Sequence, residues 1–249
     1  MLLIDIGNSW LKSAYFRDEV LHHICPLEIS NFKNNRKICW ALPKRKMLSS
    51  ENIFVSSVAS RKVNEKCRKI LLSELGIEPY FVQVKKTYKG MTTLYETSKL
   101  GVDRWLAGLA AWSKYKKNLI VVDAGTAITV DFINSRGTHL GGLIAPGPTI
   151  LASALAGGTA HLPVVSRGEK KMIVPTGTEE AIGVGFETLL FGFMKQVKVE
   201  CSHIYDADPL WVLTGGAADT ISDGIEWPHV TEQNLVLDGL KIFAIGQTA

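Results

Sequence analysis

Two segments of this chain share one pattern, and that repeat limits the possible folds more than any other feature. Residues 2–9 and 119–126 are each an aliphatic run that leads into Asp-x-Gly, and a hydroxyl side chain follows the glycine within two positions. The second segment begins almost half a chain after the first, in a sequence of 249 residues. A repeat at that distance predicts two copies of one domain. We therefore expect a bilobal protein with domains at 1–116 and 117–249.

The residues around each copy predict a β-meander. In the second half, strands at 127–133 and 138–144 follow the Asp-x-Gly turn, with a polar, glycine-containing turn between them. The first half repeats this more weakly, with a strand at 11–16 and a turn at 17–19. Helical periodicity marks four segments, which are 62–75, 104–115, 149–156 and 178–199. A further strand, glycine turn and helix follow at 211–221, so both halves are predicted to be α/β.

Composition and charge exclude several classes of protein. Hydrophobic content of 46% with 21% charged residues is ordinary for a globular protein and excludes a disordered chain. The net charge of +4 comes from short basic clusters at 44–46, 85–86 and 116–117, which are typical of solvated surface. A nucleic-acid partner is therefore not expected.

Cysteine spacing and hydropathy predict the compartment. The four cysteines are too widely spaced for metal-binding pairs and too few for a disulfide scaffold, which favours a reducing environment. The first residues lack a basic leader and a cleavage site. The most apolar stretch, 118–133, is interrupted by Asp123 and Asp131, so it does not read as a membrane span. We expect a cytoplasmic protein without a membrane partner.

An Asp-x-Gly hairpin can bind phosphate groups. The backbone N–H groups of its turn face phosphate oxygens, and its carboxylate can hold a metal ion directly or through water. One such hairpin is also an ordinary β-turn, but two copies after buried strands favour phosphoryl transfer, which needs mainly positioning and charge neutralisation. Lys12, seven residues after Asp5, could add a point charge, although alone it is also an ordinary strand lysine. The sequence contains no P-loop motif and no Gly-x-Gly-x-x-Gly.

Two further motifs can serve the same chemistry. Asp103 and Arg104 stand at the predicted start of a helix, where a carboxylate can act as general base and an arginine can neutralise an anion. In isolation, Asp103 is interpreted as a helix N-cap, and the accompanying motifs favour the role of general base. Residues 214–216, Thr-Gly-Gly, allow close approach of a nucleoside or α-phosphate, and they are also a plain turn before a helix. The six histidines show no metal-ligand spacing.

Taken in order, these motifs resemble the type III pantothenate kinase family over nearly the whole chain. The matching motifs are DIGNSWLK at 5–12, LGVDRW at 100–105, DAGTAITVD at 123–131, GGLIAPG at 141–147, TAHLP at 159–163, TEEAIGVG at 178–185 and TGGAA at 214–218. The chain departs from the family in lacking a proline between Tyr95 and Leu100, and in carrying Ser9 where threonine is common.

The resemblance implies a fold and an activity. The family belongs to the superfamily of actin, sugar kinases and acetate kinase. Its fold is α/β, with two similar actin-like, ribonuclease H-like domains, each a mixed five-stranded sheet flanked by helices, and an active site in the cleft between them. The implied reaction is transfer of the γ-phosphoryl group of ATP to pantothenate, which gives 4′-phosphopantothenate in the first step of coenzyme A biosynthesis. The resemblance also implies Mg²⁺, a monovalent cation (K⁺ or NH₄⁺) and a homodimer.

The resemblance also implies roles for individual residues. Asp103 corresponds to the general base, Asp5 to the Mg²⁺ residue that acts through water, and Asp123 to the monovalent-cation ligand. The implied nucleotide contacts are Asp5, Ile6, Gly7, Asn8, Ser9, Trp10, Leu11, Lys12 and Thr126. The implied pantothenate contacts are Tyr95, Gly101, Val102, Asp103, Arg104 and Thr178, the last of them near the dimer interface.

Two other functions fit parts of the sequence. A regulatory protein that assists transcription could use the same fold, with the basic clusters as its contact to nucleic acid, and salt-sensitive retention on DNA would support it. An actin-like chaperone or filament ATPase is disfavoured because those chains carry large insertions. The complete set of motifs favours the enzyme.

Overall fold

The computed structural model describes residues 1–34, 52–165 and 174–248. The chain divides into two compact units, one of Met1–Tyr115 with Asn234–Ala249 and the other of Lys116–Gln233. Each unit contains a mixed sheet flanked by helices, which confirms the predicted α/β class. The basic cluster at 44–46 and Cys39 lie outside the described residues.

Strands and helices are interspersed along the chain. The first unit contains β1 (Leu2–Ile6), β2 (Trp10–Arg17), β3 (Val20–Glu28), α1 (Ile29–Asn34), β4 (Ile53–Ser57), α2 (Arg61–Leu75), β5 (Tyr80–Phe81), β6 (Thr87–Tyr88), β7 (Met91–Thr93) and α3 (Val102–Tyr115). The second unit contains β8 (Leu119–Ala124), β9 (Ala127–Ile133), β10 (Thr138–Pro146), α4 (Pro148–Gly157), α5 (Thr178–Ile204), β11 (Leu210–Thr214), α6 (Ala218–Gly224) and β12 (His229–Thr231). The last helix, α7 (Leu235–Thr248), belongs to the first unit.

Among the described strands, the first sheet has the predicted five and the second has seven, and five strands of the second sheet repeat the topology of the first. In the first unit the strand order is β3-β2-β1-β4-β5, with β1 antiparallel to β2 and parallel to β4. In the second unit five strands follow the order β10-β9-β8-β11-β12, with β8 antiparallel to β9 and parallel to β11. Strands β1 and β8 therefore correspond, as do β4 and β11. This confirms the repeat predicted from the sequence.

The cores explain why these residues form these elements. Strand β1 is apolar at four of its five positions, and its side chains pack with Val63, Cys67 and Leu71 on one face of α2. In the second unit, β8 packs with Met194 and Val197 of α5. Both strands carry a near-continuous apolar run because both faces of each sheet centre are buried. The predicted helices and the 17–19 turn are present, and α5 extends beyond its predicted end at 199 to Ile204.

Helix α7 joins the first unit by packing tightly on α3. A Cβ atom added to Gly239 would lie 2.0 Å from the carbonyl oxygen of Leu106, so only glycine allows the two helices to approach this closely. Phe243 of α7 packs edge-on against Trp105, with ring centroids 6.1 Å apart. These contacts group the C-terminal helix with the first unit rather than with the residues that precede it. Among the described helices, none is long and apolar enough to cross a membrane.

Candidate active site

The first Asp-x-Gly hairpin is a tight loop between β1 and β2. The N–H of Gly7 donates to the carbonyl of Trp10 at 2.9 Å, and the N–H of Ile29 donates to the carbonyl of Ser9 at 2.8 Å. A Cβ atom on Gly7 would lie 3.2 Å from the Trp10 oxygen, which favours glycine there. Hydrogen bonds within the loop and from the first residue of α1 therefore fix the backbone of the predicted nucleotide segment at 5–12.

Asp5 lies between two polar side chains in the sheet. It pairs directly with Lys12 across the antiparallel β2 and with Ser56 across the parallel β4. Directly paired residues face the same side of a sheet, so all three side chains share one face. Ser56 Oγ donates to Asp5 Oδ1 at 3.0 Å. A half-buried carboxylate next to a lysine can hold a metal ion while the lysine faces a phosphate.

The beginning of α3 lies next to the end of β1. Val58, just after β4, donates its N–H to the carbonyl of Ile6 at 3.1 Å. Its Cγ1 atom lies 3.7 Å from the position that a Cβ would take on Gly101. The structure thus brings the Asp5 strand and the Gly101–Arg104 motif together within the first unit.

Asp103 is the second residue of α3, so it lies inside the first helical turn rather than at the preceding N-cap position. Its Oδ1 accepts the backbone N–H of Arg104 at 2.8 Å. The carboxylate lies so close to Gly101 that a Cβ there would be 2.5 Å from Oδ1. A carboxylate is favoured at a helix N-terminus, where the partial charge is positive. The backbone therefore holds Asp103 in a defined orientation.

Arg104 and Tyr95 form a stacked pair. The Arg104 side chain is only 8% exposed, and its guanidinium carbon lies 5.3 Å from the Tyr95 ring centroid. Arg104 Nη2 also lies 3.4 Å from the tyrosine hydroxyl oxygen. The Tyr95 backbone is fixed in turn, because its N–H donates to Thr93 Oγ1 at 3.1 Å and its carbonyl accepts Lys86 Nζ at 3.1 Å. This arrangement presents a buried cation beside an aromatic ring.

The second hairpin, between β8 and β9, is enclosed by two glycine-containing segments. The N–H of Gly147 donates to the carbonyl of Thr126 at 3.1 Å, and a Cβ on Gly147 would lie 2.4 Å from that oxygen. Gly215 has φ of +91°, and a Cβ there would lie 2.4 Å from Asp123 Oδ1. Any larger residue at either glycine would displace the hairpin. The Gly-Pro motif before α4 and the Thr-Gly-Gly motif after β11 therefore both contact the hairpin.

The sheet register also places hydroxyl side chains beside Asp123. Thr129 of β9 and Thr214 of β11 pair directly with it, one on each side. Thr214 is buried and stands where Ser56 stands relative to Asp5 in the first unit. The repeat therefore includes the hydroxyl neighbours of the two aspartates as well as the turns.

A cavity of about 450 Å³ opens within the second unit, and its walls are mainly apolar. Side chains of β9, β10, α4 and α5 line it, together with Gly216, Ala217 and Thr220 at the start of α6. Its volume suits a small ligand. Thr178 is the first residue of α5, is exposed, and does not line this cavity.

His139, Cys67 and Cys201 are buried in the protein interior. His139 Nε2 lies 2.7 Å from Asp131 Oδ1, and both side chains are buried. Burial raises the pKa of the Cys67 thiol to about 12 and that of Cys201 to about 11, so both are protonated at neutral pH. No group of three or more His, Cys, Asp or Glu side chains that could hold a metal occurs in the described residues. A divalent ion would therefore rely on single carboxylates, phosphate oxygens and water, as Mg²⁺ commonly does.

Sequence reasoning did not identify Ser56. The strand that carries it, β4, was not predicted either, because five residues without alternation give a weak signal. The hydroxyl pair at 56–57 resembles loop composition, and only the position of β4 beside β1 shows that Ser56 reaches Asp5.

Known proteins resemble this chain along most of its length. The sequence model of the family described as type III pantothenate kinase matches residues 1–200. A type III pantothenate kinase from Hahella chejuensis is 34% identical over 242 residues, which cover 97% of this chain and 95% of that protein. A solved structure, a putative Baf family transcriptional activator from Campylobacter jejuni, aligns with a TM-score of 0.59 at 22% identity, covering 100% of this chain and 99% of that one.

A second solved structure shares the fold of this chain. A ROK family glucokinase from Streptomyces griseus, in complex with glucose and AMPPNP, aligns with a TM-score of 0.50 at 10% identity. The alignment covers 97% of this chain and 98% of that one. At these identities the two solved structures show the fold alone, and that fold is the predicted actin-like one.

Proposed function

The chain belongs to the type III pantothenate kinase family and phosphorylates pantothenate with ATP for coenzyme A biosynthesis, and we propose that Asp103 is the general base of this reaction. The observation that carries the proposal is the backbone hydrogen bond of 2.8 Å that orients the Asp103 carboxylate in the first turn of α3. A carboxylate held in this way can accept the proton of an alcohol within hydrogen-bond distance.

The proposed step is an in-line displacement. The hydroxyl oxygen of pantothenate forms a bond to the γ-phosphorus of ATP, the bond from that phosphorus to the β-phosphate oxygen breaks, and ADP leaves. The hydroxyl proton passes to Asp103. Proton removal by a positioned base contributes about 10²–10⁴-fold to rate.

Arg104 and Tyr95 are the proposed anchor for pantothenate. A buried guanidinium stacked on an aromatic ring can bind the carboxylate of the substrate through paired hydrogen bonds. Gly101 and Val102 are proposed to line the same pocket, because they are adjacent in the LGVDRW motif. Thr178 is proposed as a further substrate contact.

The backbone of residues 5–12 is proposed to contact the phosphates of ATP, with Lys12 as a neutralising charge. Thr126 is proposed as a further nucleotide contact. The apolar cavity beside Gly216 has a size and lining that suit the adenine base.

The family's use of ATP implies a divalent ion, and we propose Asp5 as the residue that holds Mg²⁺ through water. An Mg²⁺ ion held by Asp5 would supply positive charge that neutralises the phosphates of ATP. We propose Asp123 as ligand of a K⁺ or NH₄⁺ ion, since its neighbours Thr129 and Thr214 and the surrounding turn carbonyls are oxygen donors.

Three further features remain proposals. We propose a homodimer with Thr178 near its interface, supported by exposed apolar side chains of the second unit, which are Leu143, Ile144, Ile150 and Leu189. We also propose a cytoplasmic location and a two-domain division near 116.

Asp103→Asn tests the general base, because asparagine keeps the shape and removes the basic oxygen. We expect turnover to fall about 10²–10⁴-fold, with ATP binding and melting temperature retained. Asp238→Asn is the matched control, because Asp238 also lies in the first turn of a helix but pairs with Lys241. Wild-type turnover by Asp103→Asn would refute the assignment.

A further inference from the structure

The hydroxyl of Ser56 contacts the carboxylate that we propose for Mg²⁺. Ser56 Oγ donates to Asp5 Oδ1 at 3.0 Å, and the Ser56 side chain is fully buried. The parallel pairing of β1 with β4 places the two residues side by side. Register and burial together leave the serine few other conformations.

The next residue makes a different contact. Ser57 Oγ donates to Asn64 Oδ1 at 2.6 Å and accepts the N–H of Ala59 at 3.2 Å. Successive strand residues face opposite sides of a sheet, so the side chains of Ser56 and Ser57 contact different partners. Ser57 supports the beginning of α2, whereas Ser56 supports Asp5.

The second unit repeats this placement. Asp123 of β8 pairs with Thr214 of β11, and Thr214 is buried. Burying a hydroxyl costs free energy unless it is hydrogen-bonded, and an apolar residue would fill the same position without that cost. A hydroxyl side chain next to each Asp-x-Gly aspartate therefore indicates a role toward the aspartate rather than packing alone.

We infer that Ser56 is a positioning residue for phosphoryl transfer, which holds the Asp5 carboxylate in the orientation that binds the hydrated divalent ion. The inference rests on the proposed role of Asp5. A hydrogen bond to an ionised carboxylate is stronger than one between neutral groups, so it can hold the carboxylate against rotation. Removal of such a supporting partner typically weakens metal binding about 10–100-fold.

The test measures divalent-ion binding directly. Mn²⁺ is titrated into the protein with ADP present, and free Mn²⁺ is followed by electron paramagnetic resonance. We expect Ser56→Ala to raise the half-saturating Mn²⁺ concentration at least about tenfold. In the kinase assay the same variant should need more Mg²⁺ and should regain most of its kcat at saturating Mg²⁺. Ser57→Ala is the matched control and should bind Mn²⁺ as the wild type does.

Asp5→Asn separates this inference from the proposed function. If Asp5→Asn binds Mn²⁺ as tightly as the wild type, the role of Asp5 fails. If Asp5→Asn weakens binding and Ser56→Ala does not, only the role of Ser56 is overturned. If Asp5 and Ser56 both have the inferred roles, the double variant Ser56→Ala with Asp5→Asn should bind Mn²⁺ no more weakly than Asp5→Asn alone.

A second variant, Ser56→Cys, tests the inference if Ser56→Ala does not fold. Ser56→Cys keeps the side-chain shape and replaces the hydroxyl by a weaker donor. We expect it to weaken Mn²⁺ binding in the same direction. Wild-type Mn²⁺ binding by this variant would overturn the inference, as would equal weakening by Ser57→Ala.

Discussion

The guanidinium of Arg104 stacks on the ring of Tyr95 at 5.3 Å, and its Nη2 atom lies 3.4 Å from the tyrosine hydroxyl. Two residues nine positions apart, one in a loop and one in α3, thus form one buried surface. Family resemblance implied both as substrate contacts, although the interval between them lacks the proline common in the family. The stacking of Arg104 on Tyr95 supports the expectation that both residues contact the same substrate.

Arg104→Lys should raise the KM for pantothenate about tenfold or more and leave the KM for ATP nearly unchanged. Lysine keeps the charge but loses the planar fork that binds a carboxylate by two hydrogen bonds and stacks on a ring. Steady-state kinetics with each substrate varied would measure the split. Arg136→Lys is the control, because Arg136 is exposed in the turn before β10. An equal rise in both KM values would contradict the anchor role.

Tyr95→Phe should change the KM for pantothenate less than Tyr95→Ala does. Phenylalanine keeps the ring that stacks on Arg104, and the hydroxyl contact at 3.4 Å is long for a hydrogen bond. Alanine removes the ring and leaves the guanidinium without its aromatic partner. The same kinetic assay measures the order of the two variants, and a larger loss for phenylalanine would contradict the stacking account.

Gly215→Ala should lower the melting temperature by about 4–8 °C. Its backbone has φ of +91°, and an added Cβ would lie 2.4 Å from Asp123 Oδ1 and 2.6 Å from the carbonyl carbon of Ala124. Backbone strain and the clash together cost about 2 kcal/mol or more, and each kcal/mol lowers Tm by about 2–4 °C in a protein of this size. Differential scanning calorimetry would measure this.

The adjacent Gly216 provides the control for that measurement. A Cβ on Gly216 meets nothing within 4 Å, so Gly216→Ala should leave Tm nearly unchanged. Equal destabilisation by both variants would show that flexibility of the turn, rather than its contact with Asp123, governs stability.

Gly239→Ala should destabilise the first unit strongly, because a Cβ there would lie 2.0 Å from the backbone oxygen of Leu106. Backbone cannot move aside as a side chain can, so α7 must separate from α3. Gly192→Ala in α5 is the control and should stabilise by about 0.5–1 kcal/mol, since its Cβ meets nothing within 4 Å. Urea unfolding would measure both, and a stable Gly239→Ala variant would contradict the close packing.

Cys67 and Cys201 should resist alkylation in the folded protein. Burial raises the pKa of Cys67 from 9.0 to about 12 and that of Cys201 to about 11. At pH 8 both are protonated thiols, and the thiolate is the reactive form. Iodoacetamide should therefore modify the half-buried Cys25 before either of them, which peptide mass spectrometry would show.

The same shifts predict a loss of stability at high pH. The thiol pKa is higher in the folded than in the unfolded state, so above about pH 9 the unfolded chain loses protons that the folded chain keeps. The free energy of unfolding should therefore fall as pH rises from about 9 towards 11. Cys67→Ala should reduce this pH dependence, and an unchanged dependence would contradict the prediction.

The repeated hairpins and most helices could be predicted from sequence because their signals are local. An aliphatic run before Asp-x-Gly, or apolar residues at helical spacing that stop at Gly76, needs no knowledge of distant residues. The approach of Gly215 to Asp123 joins residues far apart in the chain, so only the folded sheet reveals it. Ser56 was missed for the same reason, since its contact with Asp5 depends on the pairing of β1 with β4.

The most direct test of the central claim is ADP release measured with ATP and Mg²⁺, with pantothenate present or omitted, in parallel K⁺ and Na⁺ buffers. We predict turnover that requires pantothenate and that falls sharply when Na⁺ replaces K⁺. Equal turnover in the two buffers would contradict the monovalent-cation site at Asp123. ADP release that does not depend on pantothenate in either buffer would contradict the kinase assignment itself.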